Sequence, residues 1–392
     1  LLFKPEELAL HQVTQKDRPP TVDHFVEHYF GDSREEGIGD HTRMIRSAFQ
    51  EVQKKSKKKY YIIIATIGIL LIISGIYGFQ KHRQVEKQKQ LAENIFYAMK
   101  TLELEVGALQ KDVEISQDAS SLAEVRNYRL QQREMSENYD KFLKELHIYD
   151  EGKLDETEEL ILRVARIFGE CELTIPKDFM GEVKNYIKKW QTTDRLKRAI
   201  TRAEKNGYAE QISKIMIESD LPPQFFYLGL QESDFRQRTV GPKTRYGIAK
   251  GIWQFIPKTA LKYGLKTGPL VEIEKYDPRD DRFDFSKATL AAAKYIKDIY
   301  STDAQASGLL VAASYNWGER KVASIIRKMP QNPKERNFWK LLKEYRQDFP
   351  LETYNYVFYI FSAAVIGENP ELFGFEFANP LEHTQDNYYG SY

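Results

Sequence analysis

Residues 228–235, LGLQESDF, close an otherwise apolar segment with a carboxylic acid and a hydroxyl, Glu232 and Ser233. Phe225, Leu228 and Glu232 are spaced three and four apart, which puts them on one face of a helix starting near Pro222. Two effects act on a carboxyl there. Removal from water disfavours its charged form, and the negative end of a helix dipole does the same. Both raise its pKa, and an acid still protonated near neutral pH is suited to donate a proton in catalysis. The plain alternative is a helix-end glutamate whose carboxylate reaches water. Ser233 is open in the same way, either as a residue of the last turn or as a hydroxyl that orients the acid.

Other chemistries have less material. The histidines are His11, His24, His28, His41, His82, His147 and His383, and none lies between 148 and 382. His24 and His28 have the i,i+4 spacing of a metal-binding helix, but no third ligand is in view. Cys171 is the single cysteine, so neither an internal disulfide nor a cysteine-type zinc site can form. No metal and no cofactor is therefore expected. Lys+Arg 58 against Asp+Glu 57 leaves a formal charge of +1, which argues against a chain built to coat nucleic acid.

The elements that must position these groups read as helices. Residues 60–79, YYIIIATIGILLIISGIYGF, carry no charge and are bounded by tyrosines. At about 1.5 Å per residue they extend about 30 Å, the thickness of a bilayer core. The reading is a single transmembrane helix. Lys54, Lys55, Lys57, Lys58 and Lys59 precede it, and a more diluted set of Lys81, Arg83, Lys87 and Lys89 follows. This favours a cytoplasmic N-terminus with everything beyond residue 80 outside the cytoplasm. Before the span, residues 1–59 form a polar segment, with KDRPPTVD a loop and residues 22–30 and 41–55 short amphipathic helices. After it, residues 80–179 are expected to form a helical stalk or hairpin, with two long helices joined near 116–121. That region is also a candidate for self-association or for an envelope-protein partner. Shorter helices are expected over 154–168, 177–191, 193–206 and 208–219, with Gly207 ending one of them. The fold class is mainly α with at most a minor β element.

Downstream of Glu232 come further groups with chemical potential. YGIAKGIWQFIPKTALKYGL carries Gly251, Trp253, Gln254 and Pro257. VAASYNWGERKV carries Tyr315, Asn316, Trp317, Gly318 and Glu319, and Glu352 to Val357 reads ETYNYV. Trp253 and Phe255, flanked by glycine and proline, read as packing residues, and Trp317 as either a stacking surface or a cover for the core.

These signatures, in this order, make the chain resemble the family 1 lytic transglycosylases, the goose-lysozyme-like group, and most nearly its membrane-bound type D subgroup. The likeness runs over residues 180–375. It implies a lysozyme-like α domain with a groove for peptidoglycan glycan strands, and cleavage of the β-1,4 bond between N-acetylmuramic acid and N-acetylglucosamine. It implies that Glu232 first donates a proton and then accepts one from the muramyl C6 hydroxyl, leaving a 1,6-anhydro end. By the same resemblance Ser233 orients Glu232, Gln254 contacts the glycan, Tyr315 and Asn316 line the cleavage point, and Tyr356 hydrogen-bonds the acid or the sugar. The segment 234–250 is a few residues longer than the family's usual loop. The tail 376–392 is too short for a wall-binding repeat. Two other readings stay open: a hydrolytic muramidase, and a glycan-binding scaffold within an envelope assembly.

Overall fold

A computed structural model describes residues 38–116, 134–146 and 154–384. The readings made for the N-terminal loop, the 22–30 helix, His24 and His28, the joint at 116–121 and the last residues of the tail lie outside the described residues. The chain divides into two compact units, residues 1–84 and residues 85–392.

In the first unit the described backbone belongs to helix α1 (Ile38–Ser116). The short helix expected at 41–55 is part of this longer one, because no proline interrupts the run. Side chains of α1 are described over 65–107, apart from 69 and 73. Within the 60–79 segment Ile67, Leu70, Leu71, Ile72, Ile76, Tyr77 and Phe79 are exposed. Among the described residues no helix is long and apolar enough to cross a membrane.

In the second unit, residues 85–107 of α1 pack on α2 (residues 134–145) through a small core of Ala92, Phe96, Tyr139, Leu143 and Cys171. The Phe96 and Tyr139 rings sit 5.6 Å apart. The main core is built by α3 (Glu156–Ile167), α4 (Phe179–Gln191), α5 (Arg195–Lys205), α6 (Tyr208–Glu218) and the helices that follow. Each starts or stops for a local reason. Asp155 and Glu158 form a reciprocal cap on α3, satisfying two backbone donors that a helix start leaves free. Gly207, with φ +64°, separates α5 from α6, as its position in the sequence suggests.

The centre is occupied by two largely apolar helices. One is α7 (Phe226–Ser233), entered through a 3-10 turn at Pro223–Phe225. The other is α13 (Leu351–Glu368), in which Ile360 to Gly367 are all buried. α13 packs against α7, α4, α3 and α10 (Gly308–Trp317). Phe179 anchors this packing, with ring centroids 4.5 Å from Trp339, 5.0 Å from Phe358 and 5.1 Å from Phe361. Such aromatic pairs add about 0.5–1.5 kcal/mol each beyond the area they bury. The remaining α-helices among the described residues are α8 (Pro257–Lys262), α9 (Phe285–Ser301), α11 (Glu319–Ile326) and α12 (Phe338–Glu344).

The minor β element lies between Glu232 and Trp253. Strands β1 (Val240–Thr244) and β2 (Gly247–Lys250) pair antiparallel, Thr244 opposite Gly247 and Val240 opposite Lys250. The register slips between Val240 and Lys243, where Pro242 has no N–H to give to a ladder. A buried ion pair holds the ribbon from below. The Arg282 guanidinium bonds both Asp280 oxygens, at 2.9 and 2.6 Å, and donates to the carbonyls of Ile248 and Phe255 at 2.7 and 3.1 Å.

Candidate active site

α7 is buried from every side: residues 221–230 have no exposed member. The single apolar face read from the spacing is thus part of a stretch that is buried on all sides up to Leu230. Glu232 stands where that helix emerges. The helix stops at once, because Asp234 and Phe235 both take left-handed backbone conformations, φ +52° and +59°. The Asp234 N–H caps the Leu230 carbonyl at 2.8 Å, and Arg195 holds its side chain at 2.7 Å. Two adjacent non-glycine residues in this region are costly, about 1–3 kcal/mol each, and persist only where surroundings enforce them. Here Phe235 is clamped in the core, stacked on Phe226 at 4.5 Å. The termination that places Glu232 at the helix end is therefore anchored by packing and by Arg195.

The carboxyl is enclosed by protein while part of the residue still reaches solvent. Burial pushes its pKa up to about 7, against a partial opposing effect from the Tyr356 hydroxyl, which donates to Oε1 at 2.5 Å. A hydrogen bond to the charged form favours that form, so Tyr356 keeps the acid from rising further. Tyr356 comes from α13, two positions from Tyr354 and Phe358, and so points away from them. Tyr315 and Tyr295 complete the surroundings. Burial is the main cause that lifts both phenols, and the charge of Glu232 adds to it. Tyr315 donates to the Trp253 carbonyl at 2.8 Å, and its ring lies 5.2 Å from that of Tyr295.

The other residues singled out from the sequence take different stations. Ser233 does not bond Glu232. Its hydroxyl reaches the carbonyls of Ile252 at 2.8 Å and Gly229 at 3.2 Å, tying the helix end to the turn at 251–254. Gln254, itself left-handed at φ +48°, donates to Gly251 at 2.6 Å and Thr239 at 3.3 Å. Asn316 accepts from the Thr353 hydroxyl at 2.8 Å. Trp253 and Phe255 are buried, and the Trp253 indole donates to Thr289 at 3.0 Å. Trp317 lies half-buried, edge-on to Phe349. Glu232, Tyr356 and Tyr315 are brought together; Ser233 and Gln254 brace the backbone beside them. Tyr295 was missed, since AAAKYIKDIY reads only as an amphipathic helix and offers no signal for it.

Gly251 carries the turn. Its φ is +83°, and a Cβ there would sit 1.8 Å from the Arg282 carbonyl oxygen. Only glycine allows that approach. A separate cavity of about 820 Å³ lies elsewhere, lined by Tyr97, Phe179, Trp339, Lys343, Arg346 and Tyr354 among others. Glu232 does not line it, and Tyr354 and Tyr356 sit on different faces of α13, so the two sites are distinct.

A mainly helical domain thus presents one desolvated carboxylic acid amid three phenols. Residues 211–338 match the family model described as the transglycosylase SLT domain, and the chain carries a domain of that family. It is similar to the membrane-bound lytic murein transglycosylase D of Escherichia coli strain K12, 30% identical over 155 residues, and equally to that of strain O6:H1. The matched stretch is 40% of this chain and 30% of each relative, so the chain spans under a third of the length of the curated relatives it matches. No solved structure matches it.

Proposed function

We propose that the protein is a membrane-anchored lytic transglycosylase that cleaves the N-acetylmuramic acid–N-acetylglucosamine β-1,4 bond of peptidoglycan. The observation that carries this is the enclosed Glu232 carboxyl, held by the Tyr356 hydroxyl and lifted by burial to a pKa of about 7, within a stretch that matches the SLT domain model. In the first step the Glu232 carboxylic acid gives its proton to the leaving glycosidic oxygen as the C1–O bond breaks. In the second the resulting carboxylate takes a proton from the muramyl C6 hydroxyl, whose oxygen bonds C1. A 1,6-anhydro end forms and no water is consumed. One carboxyl serves both steps, so the usual pair of carboxylates is not required, and the sugar's own acetamido group assists at C1. Tyr356 holds the carboxyl in place and stabilises it between the steps. Tyr315 and Asn316 line the cleavage point, and Gln254 and Ser233 shape the glycan groove.

The division we propose is by role: 1–59 cytoplasmic, 60–79 transmembrane, 80–179 a stalk and the seat of envelope-protein contacts or self-association, 180–375 a lysozyme-like catalytic domain, and 376–392 a tail. Residues 160–168 share the catalytic core, so the stalk's last part folds with it. The anchor is supported by the exposed apolar side chains between Ile67 and Phe79, which need a non-aqueous cover. Flanking lysines support an N-terminus in the cytoplasm and a periplasmic active site.

Product analysis tests this. Sacculi digested with the pure protein should yield muropeptides with anhydro ends. Reducing ends indicate a muramidase instead, and no release indicates a chain that only binds glycan.

A further inference from the structure

The ribbon β1–β2 is basic, aromatic and exposed. Arg238, just before it, lies over the Tyr276 ring, 4.6 Å from the centroid. Arg245, at its turn, lies over the Tyr246 ring at 4.7 Å and donates to the Tyr246 hydroxyl at 2.7 Å. Tyr246 is 52% exposed and Tyr276 is 40% exposed. The local acids are taken up elsewhere. Glu272 faces Lys243, Glu274 accepts from the Lys243 N–H, and Asp234 is held by Arg195. Among the described residues neither Arg238 nor Arg245 forms an ion pair. Two exposed guanidinium groups thus sit against rings, and neither is paired with a carboxylate among those residues.

The ribbon is also tied to the 251–254 turn, which Ser233, next to Glu232, bonds in turn. The Gly251 N–H and the Gln254 side chain fasten Thr239 at 2.9 and 3.3 Å, and Arg282 fastens Ile248 at 2.7 Å. Arg238 is six positions from Glu232, so at most about 20 Å separates them. Arg245 stands a strand's length, about 17 Å, further along. A glycan strand lying past Glu232 carries peptide branches, and their carboxylates project several residues from the sugar, at up to about 3.5 Å per residue. The guanidinium fork matches a carboxylate in shape and charge.

We infer that this ribbon is a binding site for the carboxylates of the peptide branches on the glycan strand, with Arg238 and Arg245 as the contacts. It makes the protein prefer peptide-bearing over bare glycan. The inference rests on the glycan-cleaving reading for its ligand, but its test reads binding rather than turnover.

Full-length protein carrying Glu232→Gln is titrated with soluble, uncross-linked peptide-bearing glycan strands, and with the same strands freed of peptide by an amidase, which leaves only the lactyl carboxylate on each muramyl residue. Binding to the peptide-bearing form should be several-fold tighter at low salt. That advantage should fall to near one at high salt, where exposed charge pairs are screened, and in Arg238→Gln/Arg245→Gln. The charge-reversed pair Arg238→Glu/Arg245→Glu should invert it, with an unchanged melting temperature. Equal binding of both polymers by the parent overturns the proposal, as does a Gln pair that weakens both alike. Failure of the catalytic reading shows separately, as absence of product from the unsubstituted chain.

Discussion

A carboxylic acid is useful as a proton donor only while it holds its proton, and the structure gives Glu232 that property by enclosure. With a pKa of about 7, the fraction protonated falls tenfold per pH unit above that point, so kcat/KM should decline on the alkaline side of neutrality. Tyr356 sharpens the test. Its hydroxyl stabilises the carboxylate, so Tyr356→Phe should raise the Glu232 pKa and move the alkaline limb to higher pH while lowering kcat. A pH–rate profile of the variant checks this; a limb that stays or moves down contradicts the role given to Tyr356. At this scale the sequence was only partly legible. Spacing marked Glu232 as lying on an apolar face, yet the helix is buried on all sides up to Leu230, and what matters is where it ends. The end is set by left-handed Asp234 and Phe235 and by Arg195, a contact 39 positions away in the chain that no local pattern reveals.

The helices and the ribbon owe their limits to different causes. The helix breaks were readable, because prolines and Gly207 act locally. The ribbon was not, since VGPKTRYGIAK has a proline and no clean alternation, and its pairing depends on the buried Arg282–Asp280 support from a later segment. That support is testable. Asp280→Ala leaves a buried guanidinium uncompensated and should cost about 3–5 kcal/mol in denaturant unfolding. A loss near zero contradicts the account of the ribbon's base. Gly251→Ala should be as severe in kind, since its Cβ meets a backbone oxygen and its φ is left-handed. We expect a loss of at least about 2 kcal/mol in melting experiments, and a matching loss of turnover because Gln254 and Ser233 both bond this turn.

For the whole molecule, residues 85–107 belong with the catalytic unit. Lys100 donates to the Tyr300 hydroxyl at 3.1 Å, and Tyr300 donates to Glu103 at 2.8 Å. A fragment beginning at residue 85 should fold and leave the membrane fraction, whereas the full chain should stay with membranes after a salt wash. One beginning at 180 should melt lower or aggregate, because it lacks the Ile161, Val164 and Phe168 side chains of the shared core. Fractionation and calorimetry of the three chains check both statements. A full chain that washes off contradicts the anchor, and an equally stable 180 fragment contradicts the shared core.

The central claim is that Glu232 alone moves both protons and that no water enters the product. Digesting sacculi in water enriched in oxygen-18, with wild type and Glu232→Gln side by side, tests it most directly. Wild type should give anhydro-ended muropeptides of unshifted mass. Glu232→Gln should retain binding but release product about 10² to 10⁴ times more slowly. Incorporation of oxygen-18 at the new sugar end, or undiminished product from Glu232→Gln, would contradict it.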